Sequence, residues 1–211
     1  MAVVRVQTTT AIEGKEAEFM AFTKELKDLM VAKGLATFLR VSHSGTQNIE
    51  VYNITMFEDM KAYGAAQDMM MSDADYQAMY SRSVSDRTGI MLDASEMMEV
   101  PGFEFGAQPS GDVVFSTAWN ILPASGMGGA FMKSCHQAKV IHEKYGAKVR
   151  LWQPMSGRYA GKFLYQLAFQ DFSSLGEAMD GWKTEFAEFN RGVPVSATID
   201  SQIVMRGSTL L

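Results

Sequence analysis

The residues with the most chemical reach crowd into one stretch, "KSCHQAKVIHEKYGAKVRLW" at 133–152, which holds the single cysteine, Cys135, and two of the three histidines, His136 and His142. A thiol near an imidazole suggests a nucleophilic dyad, and two imidazoles suggest a metal site. Helical spacing tests both. Cys135 and His142 are seven positions apart, so they lie nearly in line but two turns apart, about 10 Å along the axis and beyond hydrogen-bond reach. His136 is rotated from His142 by about 120° and is expected at the solvent face. A dyad and a two-histidine metal site are both excluded on this spacing. Cys135 becomes a small buried filler, and His142 remains as a candidate general acid/base or hydrogen-bond donor.

Composition limits what such a site could serve. The chain has 211 residues, 47% of them apolar, with a formal charge of −5. Without a basic run, this argues against nucleic acid or an anionic membrane surface as partner and leaves small molecules or protein. No apolar run approaches a membrane span, and "MAVVRVQTTT" opens with strand-like alternation, so a cytoplasmic location is expected. A lone cysteine rules out an intrachain disulfide framework. The 17 methionines, including Met69 to Met71, lack ligand spacing and read as adaptable packing, so no metal site is expected.

The elements that must position His142 emerge from an internal repeat. Displaced by 112 residues, positions 14–68 align with 126–180 without a gap, and 13 of the 55 pairs are identical, against roughly three by chance. Gly34 with Gly146, Leu39 with Leu151, Ser44-Gly45 with Ser156-Gly157, Phe57 with Phe169 and Asp59 with Asp171 are among them. The chain therefore divides into a first unit at 1–100, a Pro/Gly-rich linker at 101–112 ("PGFEFGAQPSGD") and a second unit at 113–211.

Each copy reads as strand, helix, two strands about a Ser-Gly turn, a second helix capped by Asp59 or Asp171, and a closing strand. "SDADYQAMYSRSVSDR" reads as a polar excursion or an oligomer contact in the first copy, and His43 as a surface turn residue. The third strands, "VYNITMF" and "FLYQLAF", are apolar on both faces, so helices must cover one face and the sister copy's sheet the other.

Two tandem βαββαβ units of this kind, an α+β class, resemble the dimeric α/β-barrel superfamily, with ferredoxin-like repeats whose antiparallel sheets pack face to face. The resemblance covers nearly the whole sequence. It implies a branch among chlorite dismutase-like haem proteins, cofactor-free monooxygenases, polyketide cyclases and NIPSNAP/EthD-like groups, without selecting one, and a ligand site between helices and sheet. It also makes His142 a candidate axial haem ligand. A homo-oligomer is expected, with the barrel closed either within one chain or between chains.

A duplicated fold carries its own control. From first copy to second, Phe22 becomes Ser134, Thr23 becomes Cys135, Leu26 becomes Ala138 and Met30 becomes His142. Bulk has been removed from one helix face, and either neighbours or a ligand must fill the space, because voids are costly. Trp119, Trp152 and Trp182 are the candidate fillers. The alternative is a pocket in the second repeat with His142 as catalytic residue and Ser134, Cys135, Ala138, Asn120, Tyr165 and Trp119 binding ligand. Gly128 and Gly129, replacing Glu16 and Ala17, offer a weak anion site at the helix start.

The expected function is a small-molecule-binding protein or cofactor-independent enzyme, using acid/base or oxygen-dependent chemistry on an apolar, oxygen-bearing substrate. A non-catalytic interaction module and a haem protein ligated by His142 are the alternatives; no cofactor is the first expectation and haem the second.

Overall fold

The computed structural model describes residues 1–104 and 114–207, and for Val114–Asn120 the backbone alone. The first copy runs β1 (Val3–Ala11), α1 (Glu16–Ala32), β2 (Ala36–Ser44), β3 (Glu50–Phe57), α2 (Met60–Ser72), α3 (Ala74–Ser85) and β4 (Gly89–Glu99). The second runs β5 (Val114–Pro123), α4 (Gly128–Lys144), β6 (Lys148–Pro154), β7 (Phe163–Phe169), α5 (Phe172–Gly181), α6 (Lys183–Gly192) and β8 (Ala197–Gly207). Helices α1 and α4 begin and end 112 positions apart, the displacement of the sequence repeat. Most of the 101–112 linker lies outside the described residues.

The same local chemistry builds both copies. Gly34 and Gly146 end α1 and α4 with φ of +84°, a left-handed conformation that side chains resist. Asp59 and Asp171 accept hydrogen bonds from the amides of Ala62 and Ser174, capping α2 and α5. One expectation changes: two helices, not one, follow the third strand of each copy. In the first copy Asp73 adopts an extended backbone and its carboxylate accepts from the Tyr76 amide, closing α2 and starting α3. The polar stretch read as an excursion is thus α3, and its Met79 is buried. In the second copy Trp182 forms the joint between α5 and α6 without a side-chain cap.

The strands close a single antiparallel barrel in the order β1-β3-β2-β8-β5-β7-β6-β4. Closure occurs within one chain, through β2 with β8 and β4 with β6. The Ser-Gly turn of each copy presses on the last strand of the other. A Cβ on Gly45 would collide with the Gln202 carbonyl, and one on Gly157 with Ser95 Oγ. At this close approach only glycine fits.

Strand alternation splits the apolar residues between two cores. Val4, Val6, Tyr52, Met97, Trp152, Leu164 and Met205 fill the barrel, while Phe131, Cys135, Ala138, Tyr165, Leu167, Phe169 and Leu175 lie between sheet and helices of the second copy. Trp152 is therefore a barrel residue and no filler of the helix interface, its Nε1 donating to Gln166 at 3.2 Å. Arg150 from the second copy meets Glu99 from the first at 2.8 Å, with side chains 2% and 7% exposed. Burial pushes the Glu99 carboxyl up and the Arg150 guanidinium down from their ordinary values.

Candidate functional site

The apolar spacing of α4 places Phe131, Cys135, Ala138 and His142 along one buried stripe, as positions i, i+4, i+7 and i+11 require. Opposite them, alternation along β7 turns Tyr165, Leu167 and Phe169 toward the helices and Leu164 and Ala168 into the barrel. Between these surfaces lies a cavity of about 540 Å³, bounded on the outside by Trp182, Phe186 and Phe189 and by the 193–196 connection into β8. That volume is in the range of small-molecule sites.

The equivalent space in the first copy is almost filled. Under α1, a void of about 10 Å³ is lined by Met30, Asn53, Thr55, Met70 and Tyr76; Met30, Asn53 and Met70 are the sequence equivalents of His142, Tyr165 and Trp182. The physical reason is the covering helix as well as the small residues on α4. In the first copy α3 buries Met79, whereas α6 buries none of its residues. Bulk lost from α4 has not been replaced from above.

Five of the residues singled out from sequence, Ser134, Cys135, Ala138, His142 and Tyr165, line this cavity together. The side chains of Trp119 and Asn120 lie outside the described residues. Trp182 stands at the wall with its ring edge-on to His142, centroids 4.7 Å apart, and Phe186 stacks at 4.6 Å from the same imidazole. Trp182 and Phe186 frame the space instead of filling it. Met179, Phe186 and Phe189 also line it, although their spacing reads equally well as core. The 193–202 segment, with Ser196 and Gln202, carries no signal in the sequence, because it falls beyond the aligned part of the repeat.

His142 is 7% exposed, and its Nδ1 lies 2.9 Å from the Tyr165 hydroxyl. This partner, and not Cys135, completes the only histidine-centred pair in the cavity among the described residues. Burial lowers the imidazole to about 4, so it is neutral near pH 7, because desolvation penalises the charged form. Burial likewise raises the Tyr165 phenol and pushes the Cys135 thiol up to about 12. A protonated buried thiol is a poor nucleophile. Ser134 turns its hydroxyl back to the Ala130 carbonyl at 3.0 Å. His136 is exposed, as expected, and its ring rests on Phe103 at 4.6 Å.

The lining contains no Lys, Arg, Asp or Glu among the described residues. The site can therefore hold a neutral, largely apolar molecule and offer it a few hydrogen bonds. It fits haem less well. His142, with Nδ1 held by Tyr165, keeps Nε2 for a ligand bond, in keeping with the outer contacts of ligating histidines, but no cation in the described lining meets the two carboxylates of a haem. No cluster of three or more His, Cys, Asp or Glu suited to a metal ion occurs among the described residues. Helix α4 starts without a side-chain cap at Met127, and around Gly128 and Gly129 the space is open.

Neither a family profile nor a curated relative matches the sequence. Solved structures do. A candidate monooxygenase from Fusobacterium nucleatum superposes with a TM-score of 0.62 at 12% identity, covering 99% of this chain and 94% of that one. A chlorite dismutase variant from Candidatus Nitrospira defluvii gives 0.63 at 9% identity, covering 99% and 92%. The fold is that of the dimeric α/β barrels. An anthrone oxidase-like protein shares it, with a TM-score of 0.51 at 12% identity over 99% of this chain and 93% of that one. At these identities the likeness carries the barrel and leaves the branch open. No described helix is long and apolar enough to cross a membrane.

Proposed function

We propose that the second repeat binds a neutral, apolar, oxygen-bearing ring compound beneath α4 and acts on it by acid/base or oxygen-dependent chemistry. The observation that carries this reading is the contrast between about 540 Å³ under α4 and about 10 Å³ at the equivalent place under α1. A duplicated fold has kept one interface filled and opened the other.

His142 and Tyr165 are the polar groups placed for the chemistry. Aromatic side chains offer flat surfaces to a ring, and the Tyr165–His142 pair offers one hydrogen-bond donor and one acceptor to its oxygen. The neighbours of like fold include a candidate monooxygenase and an anthrone oxidase-like protein, which supports an oxygen-related role. Ser134, Cys135 and Ala138 serve as binding surface, and nothing requires a charged substrate group.

The test is saturable quenching of Trp182 fluorescence by neutral bicyclic ketones and phenols, with Trp182→Phe to isolate the signal from the other tryptophans. Binding to the wild type and none by a variant whose cavity is filled supports the reading; no binding by either removes it. A haem-bound state with His142 as axial ligand is the competing reading, and an absorption spectrum with a Soret band after purification would establish it. A protein that is colourless and binds none of these compounds would instead be a scaffold valued for its surface. Homo-oligomerisation belongs with this proposal and is read from the native mass.

A further inference from the structure

His142 is the first candidate for a base in such a site, yet the cavity makes a charged imidazolium costly. Taking a proton without passing it on would create an unpaired cation among Tyr165, Trp182 and Phe186, with no carboxylate in the described lining to meet it. The geometry offers a way around this. His142 Nδ1 and the Tyr165 hydroxyl are in hydrogen-bond contact at 2.9 Å, and both residues line the same cavity. With Nδ1 committed to Tyr165, Nε2 is the ring nitrogen left for a bound molecule.

We infer that His142 and Tyr165 form a charge-neutral proton relay that catalyses keto–enol tautomerisation of a cyclic ketone held in the second-repeat cavity. This rests on the reading that the cavity binds neutral ring compounds. The relay starts with the proton on Nδ1, donated to the Tyr165 oxygen, and with Nε2 bare. Nε2 takes a proton from the carbon next to the carbonyl; the C–H pair becomes the C=C bond, and the carbonyl π pair takes the Tyr165 hydroxyl proton to form the enol O–H. The Tyr165 oxygen is refilled from Nδ1–H. At the end the proton sits on Nε2, Tyr165 donates to Nδ1, and both residues are neutral again. The reverse sequence returns the ketone and resets the pair, and it delivers solvent deuterium to the carbon once Nε2–H has exchanged with D2O. Atoms and charges balance without oxidant, reductant or cofactor.

The surroundings keep this pair neutral. Cys135 on the same helix is a protonated thiol, its value raised to about 12 by burial. Burial, together with Cys135 and with Glu143, next along α4, raises the Tyr165 phenol. Trp182 and Phe186, packed on the imidazole from the joint of α5 with α6 and from α6, carry no charge. The side chains of the β5 stretch 114–120 lie outside the described residues. Because burial holds His142 near 4, the neutral relay persists from mildly acid to mildly alkaline solution.

The probe is 2-tetralone, a neutral bicyclic ketone whose protons next to the carbonyl exchange with D2O only through the enol or its enolate. Exchange is followed by proton NMR, and binding separately by Trp182 fluorescence. The wild type is expected to accelerate exchange saturably by about 100-fold over buffer, in the range general acid–base groups supply, with a rate flat from about pH 5.5 to 8.5, above the His142 value and below the phenol range. His142→Gln and Tyr165→Phe are each expected to bind the probe and to lose the acceleration. Binding by the wild type with exchange at the buffer rate overturns the relay while leaving the binding reading intact. Retention of exchange in either variant, or a rate that climbs tenfold per pH unit, also overturns it. Absence of binding in the wild type removes the underlying reading and the relay with it.

Discussion

Returning the first copy's bulk to the second is the sharpest perturbation of the site. Ala138 occupies the position that Leu26 holds in α1, and its methyl lines a cavity of about 540 Å³. Ala138→Leu adds three carbons in a place with room for them. At about 0.8 kcal/mol per buried carbon the apolar gain is about 2.4 kcal/mol, and fixing the leucine rotamer offsets about 0.5–1 kcal/mol of it. A net stabilisation of about 1.5 kcal/mol corresponds to a melting temperature raised by roughly 3–6 °C for a chain of this size. Thermal unfolding measures the gain, and titration with 2-tetralone measures the cost: the double variant Ala138→Leu, Ser134→Phe is expected to lose at least tenfold in affinity. An Ala138→Leu protein less stable by about 1–3 kcal/mol, the signature of a core already packed, or a double variant that binds as well as the wild type, would refute an open cavity beneath α4.

Three further outcomes follow from buried groups. The unfolded chain takes up a proton on His142 near its ordinary 6.5 and the native state only near 4, so native stability falls by about 3 kcal/mol as the pH drops between those values and changes no further below them. Denaturant titrations at pH 7 and pH 4 should show that loss in the wild type, and a loss smaller by that amount in His142→Met, which restores the first copy's Met30. Asn53 is 6% exposed and its Oδ1 and Nδ2 find no hydrogen-bond partner among the described residues; Asn53→Leu should raise stability by about 1–2 kcal/mol in the same assay, since an unsatisfied buried amide is costly. Glu99→Ala removes the buried carboxylate that meets the Arg150 guanidinium between the two copies and should cost about 3–5 kcal/mol, read as a lowered unfolding midpoint.

Much of this architecture is legible in the order of residues alone, because the chain repeats itself. The gapless 112-residue displacement places α1 against α4, and it carries the Ser-Gly turns that lock each copy onto the other's last strand. It also exposes the loss of Phe22, Leu26 and Met30 from the second copy's helix face, the sign of the cavity. The two-sided apolar character of "FLYQLAF" shows that both faces are covered without showing which residues face which core; only the barrel register assigns Tyr165 to the helices and Trp152 to the interior. The Tyr165–His142 bond joins residues 23 positions apart, and no helical or strand period links them. The joints at Asp73 and Trp182 escape sequence reading for a different reason. Asp73 is one of several acidic residues in a helix-forming stretch, and Trp182 continues an apolar stripe that the backbone nonetheless interrupts.

The central claim is that the second repeat, and not the first, holds the ligand. A crystal structure of the protein soaked with 2-tetralone tests it most directly. The expected result is electron density for the ring beneath α4, its oxygen within hydrogen-bond distance of Tyr165 or His142, and none beneath α1. A cavity collapsed by Trp182 and Phe186 moving onto Ala138, or density for the ketone only elsewhere on the molecule, would contradict it.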